Sequence, residues 1–161
     1  MVRCRPVTLA PGRTRSLHLN HATVLVRDAD RSLRFYLDGL GLKLIVDREY
    51  DGPYDEIFGV EATRLRAMIC GDPDRPEVGR IELLTFAVPV PQGELPEGLA
   101  TGSIVLAFRV HLDAVVPRLL EHGATGLRRA TLRRGTDVAT VRDPDGIFVE
   151  LIDLGPPRSS E

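Results

Sequence analysis

Apolar and polar positions run through this chain in two rounds of one pattern. The first round opens with Leu17 to Arg27 (LHLNHATVLVR), whose β-branched and aliphatic residues predict a strand. A helix follows: Asp28 caps it, Asp30 favours its first turn, and Ala29, Leu33, Tyr36, Leu37 and Leu40 recur at helical spacing until Gly39 and Gly41 stop it. Leu42 to Tyr50 predicts a second strand, broken by Asp51-Gly52-Pro53. The segment Tyr54 to Val60 (YDEIFGV) reads as a short helical turn or a lid. Thr63 to Cys70 and Gly79 to Ala87 predict two further strands, with a polar loop between them.

Pro89 to Gly102, with three prolines and three glycines, is the one linker-like stretch, and after it the pattern begins again. Ser103 to Val110 predicts a strand and Ala114 to His122 a helix, with Gly123 behind it. Pro117 is expected in that helix's first turn, where its missing N–H costs least. Strands are expected at Ala124 to Arg133, Asp137 to Val141 and Ile147 to Asp153. The last two flank Asp143-Pro144-Asp145-Gly146, which is turn chemistry and makes them a hairpin. Each half is thus strand, helix, three strands. The division is a flexible tail (1–16), a first module (17–88), a linker (89–102), a second module (103–154) and a disordered tail (155–161).

Composition narrows the function classes. A net charge of −2 over 161 residues gives no electrostatic case for nucleic acid. Twenty of the 21 basic residues are Arg, a bias that reads as genomic composition. No apolar run is long enough for a transmembrane helix, so no membrane partner is expected. The basic opening MVRCRPVTLAPGRTRS lacks the apolar core of a secretory signal. Two cysteines, Cys4 and Cys70, are too few for a disulfide framework, so a reducing, cytoplasmic location is expected.

Strand alternation isolates three polar groups. His21 shares a strand face with Leu19, Thr23 and Leu25, Glu82 shares one with Arg80, Leu84 and Phe86, and Glu150 lies between Phe148 and Ile152. A carboxylate in such a place needs a cation, a metal or a hydrogen-bond donor unless it faces water. His18 falls on the opposite face from His21, and His122 ends a surface helix, so both read as structural or solvated.

The opening LNHATVLVRDADRSLRFYLDGLGLKL and the closing VRDPDGIFVELID together resemble the vicinal oxygen chelate superfamily, the group of glyoxalase I, methylmalonyl-CoA epimerase, extradiol dioxygenases, fosfomycin-resistance enzymes and bleomycin-binding proteins. The resemblance covers residues 17 to 154 and is nearest to the glyoxalase and epimerase types. It implies an α+β fold in which two βαβββ modules pair into a curved, mostly antiparallel eight-stranded cavity. It also implies metal ligands at His21, Glu82 and Glu150, with a fourth at the start of the fifth strand. There the family has His and this chain has Val105, which cannot coordinate. His111 lies on the same face but roughly 20 Å further along the strand, so it cannot stand in.

Val105 weakens the dioxygenase and fosfomycin-resistance readings, which need that His. The expectation is therefore a metal-assisted isomerase, epimerase or lyase acting through an enolate on a small substrate with adjacent oxygens. Its cofactor would be a divalent Mn, Fe, Ni, Co or Zn ion, or none, given Val105. Glu82 or Glu150 would move the proton. Arg109, on the Val105 face, suits a substrate carboxylate or phosphate. Val105 itself, Tyr54 and Phe58 would line the cavity. The alternative is a metal-free small-molecule binding or sequestering protein on the same fold, with a dioxygenase-like enzyme as the weaker choice. A homodimer is expected, with modules paired within one chain or swapped between two.

Overall fold

The computed structural model describes residues 19–72, 74–75 and 79–155. The tail expected at 1–16, together with Leu17 and His18, lies outside the described residues, as do 156–161. The first module runs β1 (Ala22–Leu25), α1 (Ala29–Leu33), a π-helical segment (Arg34–Gly39), β2 (Lys43–Asp51), α2 (Tyr54–Phe58), β3 (Arg64–Gly71) and β4 (Ile81–Phe86). The second runs β5 (Val105–Val110), α3 (Leu112–Glu121), β6 (Thr125–Thr131), β7 (Asp137–Arg142) and β8 (Phe148–Asp153). The first strand is shorter than its sequence pattern, and His21 stands immediately before it. The ambiguous YDEIFGV segment is helical and closes at Gly59, whose φ of 67° favours glycine.

The helix α3 starts earlier than its pattern suggested. Asp153 on β8 accepts the Leu112 N–H at 3.1 Å and so anchors the first turn there. Pro117 consequently sits inside the helix. It and Asp113, whose carbonyl loses a partner, both lie on the exposed face, where water can take the freed oxygen.

Each module makes a four-stranded sheet, ordered β1-β4-β3-β2 and β5-β8-β7-β6, with one parallel pair and two antiparallel ones. The fold is α+β with the expected repeat, and within the chain the eight strands remain in two sheets that are not joined. One core unites them. Met68, Cys70, Ile81 and Leu83 of the first sheet share it with Val149, Leu151, Ala139 and Val141 of the second, and with Phe35, Tyr36, Val116 and Leu119 of the helices. The helices pack on each other, the π-helical segment against α3. At their crossing Gly39 lets the backbones approach: a Cβ there would lie 3.0 Å from Leu119 Cδ2 and 3.4 Å from Leu119 Cα. The wider π turn buries the adjacent Phe35 and Tyr36 together.

The Asp143–Gly146 turn clasps the first module. Asp143, 2% exposed, accepts the Tyr36 hydroxyl at 2.8 Å and the Asp145 and Ile147 amides at 2.9 and 2.8 Å. Asp145 accepts Arg27 Nε at 2.9 Å and Ser32 Oγ at 3.0 Å. Burial raises the Asp143 carboxyl above the usual range, and the Tyr36 bond pulls it part of the way back. Burial, then Asp143 itself, raises the Tyr36 hydroxyl too, so it stays a donor.

Because the folded-state Asp143 carboxyl titrates above its unfolded value, this group is most favourable to folding at acid pH, and its contribution falls as pH rises through that titration. Tyr36→Phe removes the donor that eases the ionised form. It should cost about 1–3 kcal/mol at neutral pH and less at about pH 4. Urea unfolding of both proteins at the two pH values measures this. An equal or larger loss in acid would contradict the clasp.

Candidate functional site

Because the helix-bearing faces of both sheets meet in one core, their other faces turn outward. On the first sheet that outer face carries Thr23 and Leu25 of β1, Glu82, Leu84 and Phe86 of β4, and Leu65, Ala67 and Ile69 of β3. α2 lies across it. Tyr54 packs with Leu65, Ala67, Leu84 and Phe86, and the Tyr54, Phe58 and Phe86 rings lie 5.7 to 6.2 Å apart. Tyr54 is buried and gives its hydroxyl to the Tyr50 carbonyl, whereas Phe58 stays exposed. A cavity of about 600 Å³ continues this face beyond Leu25 and Phe86, walled by Val88 and by the linker residues Val90 and Leu95.

His21 and Glu82 meet here. His21 Nε2 lies 3.3 Å from Glu82 Oε2, which also accepts the Thr23 hydroxyl at 2.7 Å. On the other side of the ring, His21 Nδ1 is 2.8 Å from Asn20 Oδ1. A carbonyl-type oxygen there needs the ring proton on Nδ1. A neutral His21 then presents the Nε2 lone pair toward the lone pairs of Glu82 Oε2. Two donor atoms facing one another at this distance call for a proton or a cation between them. The same arrangement, a ring N–H held by an oxygen while the other nitrogen faces outward, orients metal-bound histidines. Alternation pointed to Thr23 on this face. Asn20 lies before the strand, where alternation has no meaning, and gave no such signal.

Glu150 lies on the outer face of the second sheet, and its carboxylate bonds no described residue. Within one chain it does not join His21 and Glu82: among the described residues no three His, Cys, Asp or Glu side chains are grouped closely enough to hold a metal ion. The two sheets nonetheless repeat one geometry. His21 stands two residues before Thr23, the register partner of Glu82; Val105 stands two residues before Ala107, the register partner of Glu150. Val105 therefore occupies the second-sheet counterpart of His21. Arg109 follows on the same face opposite Ile152, exposed and with no described partner. His111, the N-cap residue of α3, lies just past the end of that strand.

A profile of the Glyoxalase/Bleomycin resistance protein/Dioxygenase superfamily matches residues 18–151. The Lactoylglutathione lyase-like protein terB of Aspergillus terreus is 30% identical over 161 residues, an alignment covering 91% of this chain and 80% of that protein. Among solved structures, a glyoxalase family protein from Bacillus cereus superposes with a TM-score of 0.72 at 22% identity, over 91% of this chain and 98% of that one. The trypanothione-dependent glyoxalase I of Leishmania major gives 0.60 at 24% identity, over 86% and 87%.

The His21 geometry makes a spectroscopic prediction. Long-range ¹H–¹⁵N correlation at about pH 8, without added metal, should show the His21 ring with its proton on Nδ1, and Asn20→Ala should weaken that preference. A neutral ring carrying its only proton on Nε2 in the native protein would contradict the assignment.

Proposed function

The chain belongs to the Glyoxalase/Bleomycin resistance protein/Dioxygenase superfamily, and from that premise we propose that it is a metal-assisted isomerase, epimerase or lyase for a small substrate with adjacent oxygens. The carrying observation is the facing pair of His21 Nε2 and Glu82 Oε2, with Asn20 and Thr23 fixing both from behind. The donor set suits a divalent ion such as Mn²⁺, Fe²⁺, Ni²⁺, Co²⁺ or Zn²⁺, and His21, Glu82 and Glu150 would hold it. When bound, such an ion lowers the cost of negative charge on the substrate's adjacent oxygens.

The site is completed by a second copy of the chain. β1 and β5 are edge strands, and no described strand pairs with their outer sides. Leu19 (81% exposed), Leu25 and Ile104 flank those edges. Open edges with apolar borders favour pairing with another strand. In a homodimer the His21–Glu82 half-site of one copy joins the Glu150 half-site of the other.

The side chains divide the work. Thr23 and His21 orient Glu82, while Glu150, free of competing bonds, takes the proton from carbon and returns it. Arg109 binds a charged part of the substrate, and Tyr54 and Phe58, packed on Phe86 at the edge of the cavity, give the substrate an apolar neighbour. The Aspergillus relative is named a lactoylglutathione lyase-like protein, which supports lyase chemistry. No helix among the described residues is long and apolar enough to cross a membrane. The cytoplasmic assignment rests on the cysteines: Cys70 is buried and unpaired, and burial pushes its thiol up to about 11. Val105 supports a second reading, a metal-free binding protein in which the His21–Glu82 pair is a hydrogen-bonding group.

The two readings part under metal titration. Metal ligands must be deprotonated, so Ni²⁺ or Zn²⁺ should raise the melting temperature at about pH 8 and less at about pH 5.5. A Glu82→Ala/Glu150→Ala double variant should lose most of that rise, and Val105→His should enlarge it by adding a donor. A wild-type protein that shows no metal-dependent shift at either pH favours the binder.

A further inference from the structure

The outer face of the second sheet holds a cationic hollow beside Glu150. Its volume is about 360 Å³; Arg128, Arg142 and Phe148 floor it, and Leu95, Pro96 and Glu97 of the linker wall it. The two arginines stand in different states. Arg142 is fixed: its guanidinium lies 4.0 Å above the Phe148 ring centroid, gives Nη1 to the Gly146 carbonyl at 2.7 Å, and gives Nη2 to the Glu97 carbonyl at 3.0 Å and to the Pro96 carbonyl. Arg128 is exposed and bonds no described residue. The neighbouring Arg129 points to the other face of the sheet and lies 4.0 Å from Asp113.

Register fixes where Arg128 stands. It pairs with Thr140, which pairs with Glu150, so all three share one row across β6, β7 and β8. Two strand spacings separate Arg128 from Glu150, about 10 Å between backbones. Phe148, with the Arg142 guanidinium stacked on it, is the next residue of β8 on the same face. A ligand reacting beside Glu150 therefore has within reach a ring edge, a fixed positive charge whose bonded hydrogens are turned to carbonyls, and a guanidinium with its donors unspent. Among the described residues, Glu97 is the one acid lining the hollow.

We propose that the substrates of this site are organic anions, and that Arg128 binds their carboxylate or phosphate group in this hollow and selects for it. A planar fork of N–H donors suits either oxyanion, and the fixed Arg142 charge adds to the attraction without competing for its geometry. This rests on the reading above in one respect: the reaction takes place beside Glu150.

The test is calorimetric titration of the full chain with phenylacetate, phenyl phosphate and the neutral phenylacetamide at low salt. Wild type should bind at least one anion about tenfold more tightly than the amide, the scale of one charge-assisted contact. Arg128→Gln should erase that preference, Arg128→Lys should restore part of it, and Arg129→Gln, which removes the same charge from the other face, should leave it intact. Whichever anion binds more tightly names the group. Equal binding of anions and amide, no binding of either anion, or an Arg129→Gln loss as large as that of Arg128→Gln would overturn the proposal. Running each titration with and without Ni²⁺ separates it from the metal reading. A protein that binds Ni²⁺ but ignores ligand charge contradicts Arg128 alone. Arg128-dependent binding without any uptake of Ni²⁺ contradicts the metal reading alone.

Discussion

The buried contact between Tyr36 and Asp143 sets the arrangement of the whole molecule. It joins the first helix to the last hairpin turn across 107 residues of sequence, in a place where neither group can turn to water. An ionised carboxylate so placed is tolerated only because three donors reach it. Arg27 and Ser32 add the neighbouring Asp145 to the same clasp. With the turn held there, the helices of both modules must pack against each other, and Gly39 against Leu119 allows it. The sheets then carry their polar site residues on faces that look away from the shared core.

That orientation divides the three candidate residues between two faces. His21 and Glu82 form a matched pair on one outer face, and Glu150 waits on the other. The two halves are related by register, so the chain carries one design twice, with a valine replacing the imidazole in the second copy. Valine at that point leaves the second half with a single carboxylate donor. The arginines beside it give the second face a positive character.

Much of this was legible in the sequence. Alternation placed Glu82 with Leu84 and Phe86, and the strands bear this out because a period of two survives any error in strand ends; His21 lies just before β1 and meets that face through its contact with Glu82. The helical stripe of Ala29, Leu33, Tyr36, Leu37 and Leu40 was legible as well, but not its π turn, which buries Phe35, a residue outside that stripe, beside Tyr36. The start of α3 escaped because the group that anchors it, Asp153, is 41 residues away. The separation of the sheets escaped for a similar reason: strand order depends on which faces the helices bury, and periodicity within a strand carries nothing about that. Arg128 was hidden among many arginines, and only its row with Thr140 and Glu150 distinguishes it.

The central claim is that one working site draws His21 and Glu82 from one chain and Glu150 from another. Mixing purified Glu82→Ala and Glu150→Ala proteins, after unfolding and refolding them together, tests it through tight Ni²⁺ binding. Each variant alone breaks every site it has. In a shared-site dimer, random mixing places one intact site in half of the dimers, so about a quarter of the wild-type capacity should return. If the halves instead meet within one chain, each chain keeps its own lesion. The mixture would then bind no more than the separate variants, which would contradict the account.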